Sequence, residues 1–265
     1  MLVHDRLTRR SIQTVFLLVF LPLFALPLAV ILAASLSTNW SGALPSGFTL
    51  EHYAAVLNGP TLDALRVSVV TAVIASVCAL VAGTWAALSA HSLGPRGRRV
   101  MDALFMLPVA VPTVVVGLAL LVAFSSPPVL LNGTQMIVFI AHTVLVTAFA
   151  YQSVSAALDR LDPVHAQVAA SLGARPARTL FLVRLPLLLP SLSGAAGLCF
   201  ALSMGELSAT MMLYPPDWTP LPVRIFTATD RGALFTGSAF AVVLMATTLL
   251  VMFALSLVRT RAGHR

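Results

Sequence analysis

Six long stretches, nearly free of charge, constrain this chain more than anything else in it: 14–36, 66–90, 101–124, 134–157, 187–213 and 236–258. A hydrocarbon layer about 30 Å thick is crossed by roughly 20 apolar residues in a helix. Backbone groups at that depth find no water, so each segment must satisfy them internally. The stretches lack the period-two polarity of barrel strands. The expected fold class is therefore an all-α integral membrane protein with six transmembrane helices. The spanning domain covers 14–258, between tails at 1–13 and 259–265. Composition agrees, with 58% of residues hydrophobic and 9% charged, against about a quarter charged in a soluble domain. The run at 14–36 is too long for the apolar core of a signal peptide and carries Pro22 and Pro27, so it reads as an uncleaved anchor.

All sixteen basic residues are arginine. Arg6, Arg9 and Arg10 precede the first span; Arg96, Arg98 and Arg99 lie in 91–100; Arg160, Arg175, Arg178 and Arg184 lie in 158–186; Arg259, Arg261 and Arg265 end the chain. The opposite side has Arg224 and Arg231, with Arg66 at a span edge. Arginine concentrates in cytoplasmic loops, so both termini are expected in the cytoplasm. The net charge of +7 is then a topology signal, and no nucleic acid partner is expected. Without lysine the chain cannot build a P-loop or a Schiff base. Any ATP hydrolysis must sit on another polypeptide. Cys78 and Cys199 lie in apolar runs and read as buried small hydrophobes. The histidines are scattered, no zinc spacing occurs, and neither a metal nor a cofactor is expected. Trp40, Tyr53, Tyr214 and Trp218 fall in the outer loops 37–65 and 214–235, where interfacial anchors are common.

The loop 158–186 is unlike the others. Asp162 suits a helix N-cap and Pro163 the first helical position. Val164, Val168 and Leu172 then share one stripe. Gly173 suits the left-handed residue after a helix end. Pro176 can start a second short helix that leads to Leu185 and Pro186. The residues alone leave two readings open: the stripe folds back on its own bundle, or it faces a soluble partner.

Within the spans, Glu206 is the one carboxylate well inside an apolar run. A charge at mid-bilayer costs about 2.5–3.5 kcal/mol on insertion scales, so Glu206 should face protein or water. Gly205 beside it permits close helix approach. Pro108, Pro112, Pro186 and Pro190 each remove a backbone hydrogen bond and invite a local break. His142 stands in the fourth span with no evident partner, so an intramembrane enzyme lacks its paired polar groups. Arg224 and Arg231, with Asp217 and Asp230, form a polar outer loop suited to an anion or to a protein partner.

The spacing from Gln167-Val168-Ala169 through Gly173 to Val183-Arg184-Leu185-Pro186 resembles the EAA loop of binding-protein-dependent ABC importer permeases: Glu-Ala-Ala, three residues, Gly, nine residues, Ile-x-Leu-Pro. Gln167 replaces the family glutamate, a departure that leaves the family's salt bridge to the ATPase open while keeping the helix–turn–helix shape. LPVAVPTVVVGLALL, with Pro108, Pro112 and Gly117, is similar to the third-span motif of sulfate, molybdate and iron permeases. Ser203–Leu213, SMGELSATMML, is similar to their fifth-span segment. LPSGFTLEHY, NGTQMIVFIAH and YPPDWTPLPVRIFTATDRG look closest to the 2-aminoethylphosphonate branch.

This resemblance implies a type I ABC importer permease fold with a cytoplasmic coupling helix, multi-pass in a bacterial inner membrane. The implied partners are an ATP-binding ABC subunit, a second permease subunit (a paralogue or the chain itself), a periplasmic substrate-binding protein and the lipid bilayer. Asp162, Pro163, Val164, Gln167, Val168, Ala169, Leu172, Gly173, Leu185 and Pro186 would couple to the ATPase. Ser203, Gly205, Glu206, Thr210, Pro108 and Pro112 would line the translocation pathway, and Arg224 and Arg231 would lie on the periplasmic side. The chain itself would be non-catalytic. The expected solute is 2-aminoethylphosphonate or a related phosphonate; the alternatives are iron(III), sulfate or molybdate, or a polyamine. An ion-coupled secondary carrier is disfavoured, because no inverted repeat is clear and only one strong intramembrane acid is present.

Overall fold

The structure is a computed structural model that describes residues 6–42, 44–57 and 59–262. Arg265 and residues 1–5 of the expected tails lie outside the described residues. The elements run α1 Arg6–Ser35, β1 Ser37–Asn39, β2 Ser46–Phe48, α2 Glu51–Leu57, α3 Gly59–Ser92, α4 Pro95–Ala110, α5 Thr113–Ala123, α6 Gln135–Leu158, α7 Val164–Ser171, α8 Pro176–Thr179, α9 Leu185–Met204, α10 Ser208–Leu213, α11 Leu221–Asp230 and α12 Leu234–Ala262. Five segments are long and apolar enough to cross a membrane, with a sixth if α4 and α5 count as one broken span. The all-α expectation gives way at one point. β1 and β2 form a short antiparallel hairpin with Ser37 opposite Phe48 and Asn39 opposite Ser46.

Two expected spans are not continuous. The stretch 101–124 bends by 99° between α4 and α5. Val111 is extended (φ −103°, ψ 134°), as the residue before a proline tends to be, and Pro112 follows at ψ 135°. Pro108, in contrast, lies inside α4. The stretch 187–213 stops at Met204 and resumes as the single short turn-and-a-half of α10. The expected break at Pro186 and Pro190 does not occur. Pro186 sits in the first turn of α9, where a missing N–H costs little. A π-helical turn at Leu180–Arg184 just before it absorbs the mismatch, and Pro190 is carried inside α9.

The chain divides into two compact units. The first comprises Met1–Leu62 and Arg224–Val243. In it, Tyr53 Oη and Ser35 Oγ are 2.8 Å apart, His52 Nε2 reaches Ser37 O at 2.9 Å, and the His52 ring stacks on Phe235 at 5.8 Å. Tyr53 is thus tied into the hairpin region by its hydroxyl.

The second unit comprises Asp63–Val223 and Leu244–Arg265. Its centre is α3 against α6 and α9, where Ala75, Ala79, Val146, Ala150 and Cys199 are buried together. Small side chains let backbones approach, the main route to helix association where lipid supplies no hydrophobic drive. Gly83 shows how tight this is: a Cβ there would stand 2.7 Å from Tyr151 N and 2.9 Å from Ala150 Cβ. Cys199 behaves as a buried small residue, whereas Cys78 on α3 is exposed, contrary to expectation. Tyr214 and Trp218 also depart from the anchor reading. Tyr214 packs on the Ile137–Leu213 cluster. Trp218 donates to Thr71 Oγ1 at 3.1 Å and meets Phe139 edge-on at 5.6 Å. With the Leu221 N–H donating to Ser68 Oγ at 2.8 Å, these contacts fasten residues 214–221 onto α3 and α6.

Candidate functional site

The segment 162–186 builds itself from local rules. Asp162 Oδ1 accepts the Val164 N–H at 2.9 Å, and Pro163 is already helical (φ −59°, ψ −19°). Gly173 has φ +78°. The Gly173 N–H donates to Ala170 O at 2.9 Å, and the Ala174 N–H donates to Ala169 O at 3.0 Å. This bond pair is the Schellman closure, which needs a left-handed residue and hence favours glycine.

What α7 exposes is unusual. Val164 is 51% exposed, Val168 52% and Leu172 83%, whereas Ala166 and Ala169 are half-buried. The helix turns its small residues inward and its large apolar ones out. Gln167 is also exposed. Behind α7, a cleft of about 340 Å³ is lined by His91, Leu161, Asp162, His165 and Arg184, among others. Leu185 and Pro186 continue directly into α9.

A polar corner that the sequence did not reveal sits beside this segment. Asp159, just after α6, accepts from Arg98 Nη2 at 2.6 Å and lies 3.1 Å from His91 Nε2. The Arg98 guanidinium holds the Asp159 carboxyl below the usual aspartate range; partial burial opposes it, and the His91 ring adds a lesser lowering. Close by, Tyr151 Oη donates to Asp102 Oδ1 at 2.5 Å, and Phe105 stacks on the Tyr151 ring at 4.7 Å. Sequence reading treated Arg98 only as a topology signal.

A second site forms where the broken spans meet. Gly117 of α5 lies so near α10 that a Cβ would stand 2.9 Å from Ala209 Cα. Gly205 was expected to provide such an approach and does not: a Cβ there would meet only the preceding turn, Ala201 O at 3.6 Å and Leu202 O at 4.0 Å. Its place is the C-cap of α9, at φ −91° and ψ −2°. Glu206 follows at the break, half-buried, and its Oε1 accepts the Ala209 N–H at 2.8 Å. The carboxylate thus caps α10, as acids do at helix N-termini.

His142 is 2% exposed and far from partnerless. Its Nδ1 lies 2.7 Å from Ser203 Oγ and its Nε2 2.9 Å from Thr210 Oγ1. Ser203 and Thr210 were expected on the pathway; the structure brings them onto this ring. Both partners are more than sixty residues away in sequence, so no local signal could have found the cluster. A cavity of about 240 Å³ adjoins it, lined by Pro108, Val111, Thr113, Phe149 and Glu206, among others. Pro112 lies at the bend beside these residues without lining the cavity. Among the described residues no group of three His, Cys, Asp or Glu side chains is placed to hold a metal ion.

Arg224 and Arg231 belong to a helix and its end instead of an irregular loop. Arg224 lies in α11, half-buried, and its Nε is buried without a hydrogen-bond partner among the described residues. Arg231 follows α11 and is exposed.

Residues 79–263 match the family described as binding-protein-dependent transport system inner membrane component. The chain is 47% identical over 265 residues, all of both chains, to a Salmonella typhimurium protein named PhnV, a 2-aminoethylphosphonate transport system permease. It is 26% identical over 223 residues, 82% of this chain and 78% of the relative, to the Escherichia coli putrescine transport system permease PotI. A solved bacterial ABC transporter for import of the polysaccharide alginate superposes with TM-score 0.74 over 97% of this chain and 99% of that one, at 14% identity, a likeness of fold. The chain therefore belongs to the binding-protein-dependent transport system inner membrane components, the permeases of ABC importers.

Proposed function

We propose that this chain forms half of the translocation path of an ATP-driven importer for a small phosphonate, 2-aminoethylphosphonate first, handed over by a periplasmic binding protein. The observation that carries the mechanism is the outward apolar stripe Val164–Val168–Leu172 with its left-handed stop at Gly173. Left in water, three large apolar side chains have nothing to gain; covered by a partner, the half-exposed valines would each contribute about 1 kcal/mol and Leu172 about 2. The partner is the ATP-hydrolysing subunit, because this chain has no lysine for a P-loop. Closure of the ATPase pair would push α7 and its counterpart on a second permease together and rock the spans between inward-open and outward-open arrangements. The second permease is the same chain or a paralogue.

The arginine distribution supports six spans, with α4 and α5 crossing as one broken span and both termini cytoplasmic. The phosphonate reading is supported by full-length identity to PhnV far above that to the putrescine permease. On the periplasmic side, Arg224 and Arg231 supply cationic donors for an anionic solute.

The test is reconstitution with the ATPase and binding protein of the same system. Uptake of 2-aminoethylphosphonate should depend on ATP and on the loaded binding protein. ATP-dependent uptake of sulfate or a polyamine in its place would overturn the phosphonate reading while leaving the importer intact. Uptake without any ATPase would overturn the importer. An Arg224→Glu variant should lower uptake at unchanged binding-protein affinity; full uptake would remove the handover role.

A further inference from the structure

We infer that His142 is a positioning residue of the import cycle: its ring pins both halves of the broken fifth span to α6, so that α5, α6, α10 and the end of α9 move as one block. This rests on the import reading above.

The bonds have one direction. Thr210 Oγ1 donates its only proton to the Glu206 carbonyl at 3.0 Å. Nε2 of His142 must then be the donor to Thr210 Oγ1, 2.9 Å away. In a neutral ring Nδ1 is left with its lone pair and accepts the Ser203 hydroxyl at 2.7 Å. The chain runs Ser203 O–H to Nδ1, Nε2–H to Thr210, Thr210 O–H to Glu206 C=O. Ser203 lies in α9, Thr210 in α10, and the break at Gly205–Leu207 lies between them. A single planar group therefore sets the distance across the break.

The block has two further ties. Glu206 Oε1 caps Ala209 at 2.8 Å, and Gly117 presses α5 onto the same Ala209. Ile137, Val138 and Ala141, on α6 just before His142, are buried with Leu213 of α10. A buried donor or acceptor that loses its partner costs the full desolvation penalty, so the ring is held until something replaces both bonds. The Ser203–His142 pair is not a nucleophile site: no carboxylate orients the ring, since the other nitrogen is spent on Thr210.

The experiment uses the complete reconstituted complex, with uptake and ATP hydrolysis both normalised to assembled transporter. His142→Phe keeps the ring volume and removes both bonds. Uptake should fall about tenfold or more, the effect of leaving the Ser203 hydroxyl without its acceptor and the Thr210 oxygen without its donor, while ATP hydrolysis without solute continues. His142→Gln, which offers an acceptor and a donor on one planar group, should recover at least half of wild-type uptake. Full uptake by His142→Phe, or Gln as poor as Phe, overturns the inference. If His142→Phe does not assemble, Ser203→Ala and Thr210→Val serve: each should lower uptake, and combining them should add less than about threefold to the worse single, because both act through one chain. Independent, multiplying effects overturn it. Wild-type complex that imports nothing sinks the import reading instead, before any variant is compared.

Discussion

The segment around α7 and the meeting point of the broken spans are built on opposite principles. In α7 every structural bond is local. Asp162 reaches two residues ahead, and Gly173 and Ala174 close onto residues three and five behind. Around His142 the bonds join residues 61 and 68 apart. One region presents large apolar groups to the outside and half-buries Ala166 and Ala169; the other buries its polar groups and satisfies them. On the proposed coupling role, α7 must hold its own shape while a partner comes and goes. A permeation scaffold must be held by its neighbours, because a helix break in a membrane leaves backbone groups with no water to take.

The contrast is broken most forcefully at the glycines of the core. Gly83→Val or Gly117→Val should abolish folding or cost several kcal/mol, because each Cβ would land within 3 Å of α6 or α10 backbone. Thermal unfolding of the purified chain in detergent measures it. Gly205→Ala, whose Cβ would make only ordinary contacts with the preceding turn, should shift the midpoint little. If Gly205→Ala proves as damaging as Gly117→Val, the packing described for α5 and α10 is wrong.

Gly173→Val should act in the opposite manner. Nothing lies within 4 Å of its missing side chain, but a left-handed backbone costs an ordinary residue about 1–2 kcal/mol. The bundle's unfolding midpoint should hold while solute-stimulated ATP hydrolysis in the complex is lost. Unaltered stimulation would show that the turn does not transmit force. Asp162→Ala should follow in size, removing an N-cap worth about 1 kcal/mol; an α7 peptide, with and without the substitution, reads it by circular dichroism.

Glu206→Gln sharpens the comparison differently. The amide oxygen can still cap Ala209, so folding should be preserved. Any fall in uptake then reports the negative charge itself, whereas wild-type uptake would leave Glu206 with the capping role alone.

The smallest effect belongs to Asp159. Its carboxyl is held low in the folded chain by Arg98, so it adds stability above the unfolded value near 4 and loses it as pH falls through the lowered folded value. Asp159 is 49% exposed, so the pairing is weak and screened by salt. An Asp159→Asn variant should show a flatter loss of stability below about pH 4, with the difference shrinking in high salt. Identical acid profiles would deny the corner any part in stability.

Legibility in the sequence divides along the same line. Asp162, Pro163 and Gly173 could be placed because each acts through backbone a few residues away, and the stripe on α7 follows from helical periodicity alone. Pro112 was readable as a break, since it constrains the residue before it. Pro186 misled, because a π turn upstream accommodated it. Gly205 misled for a related reason: a glycine permits close approach, but only a facing helix makes one, and Gly83 and Gly117 are where helices face.

The apolar runs, the arginine distribution and the spacing from Asp162 to Pro186 determined by themselves a multi-span helical chain with a capped, apolar-striped short helix between two spans. Those signals are properties of the chain relative to its solvent and of bonds that close within one turn. Only the tertiary structure decided that the stretch 187–213 breaks and packs against the bent stretch 101–124, that the stripe on α7 faces outward, that Glu206 caps a short helix, and that His142 holds Ser203 and Thr210. Those outcomes depend on which surfaces meet across more than sixty residues of chain, and no local preference encodes that choice.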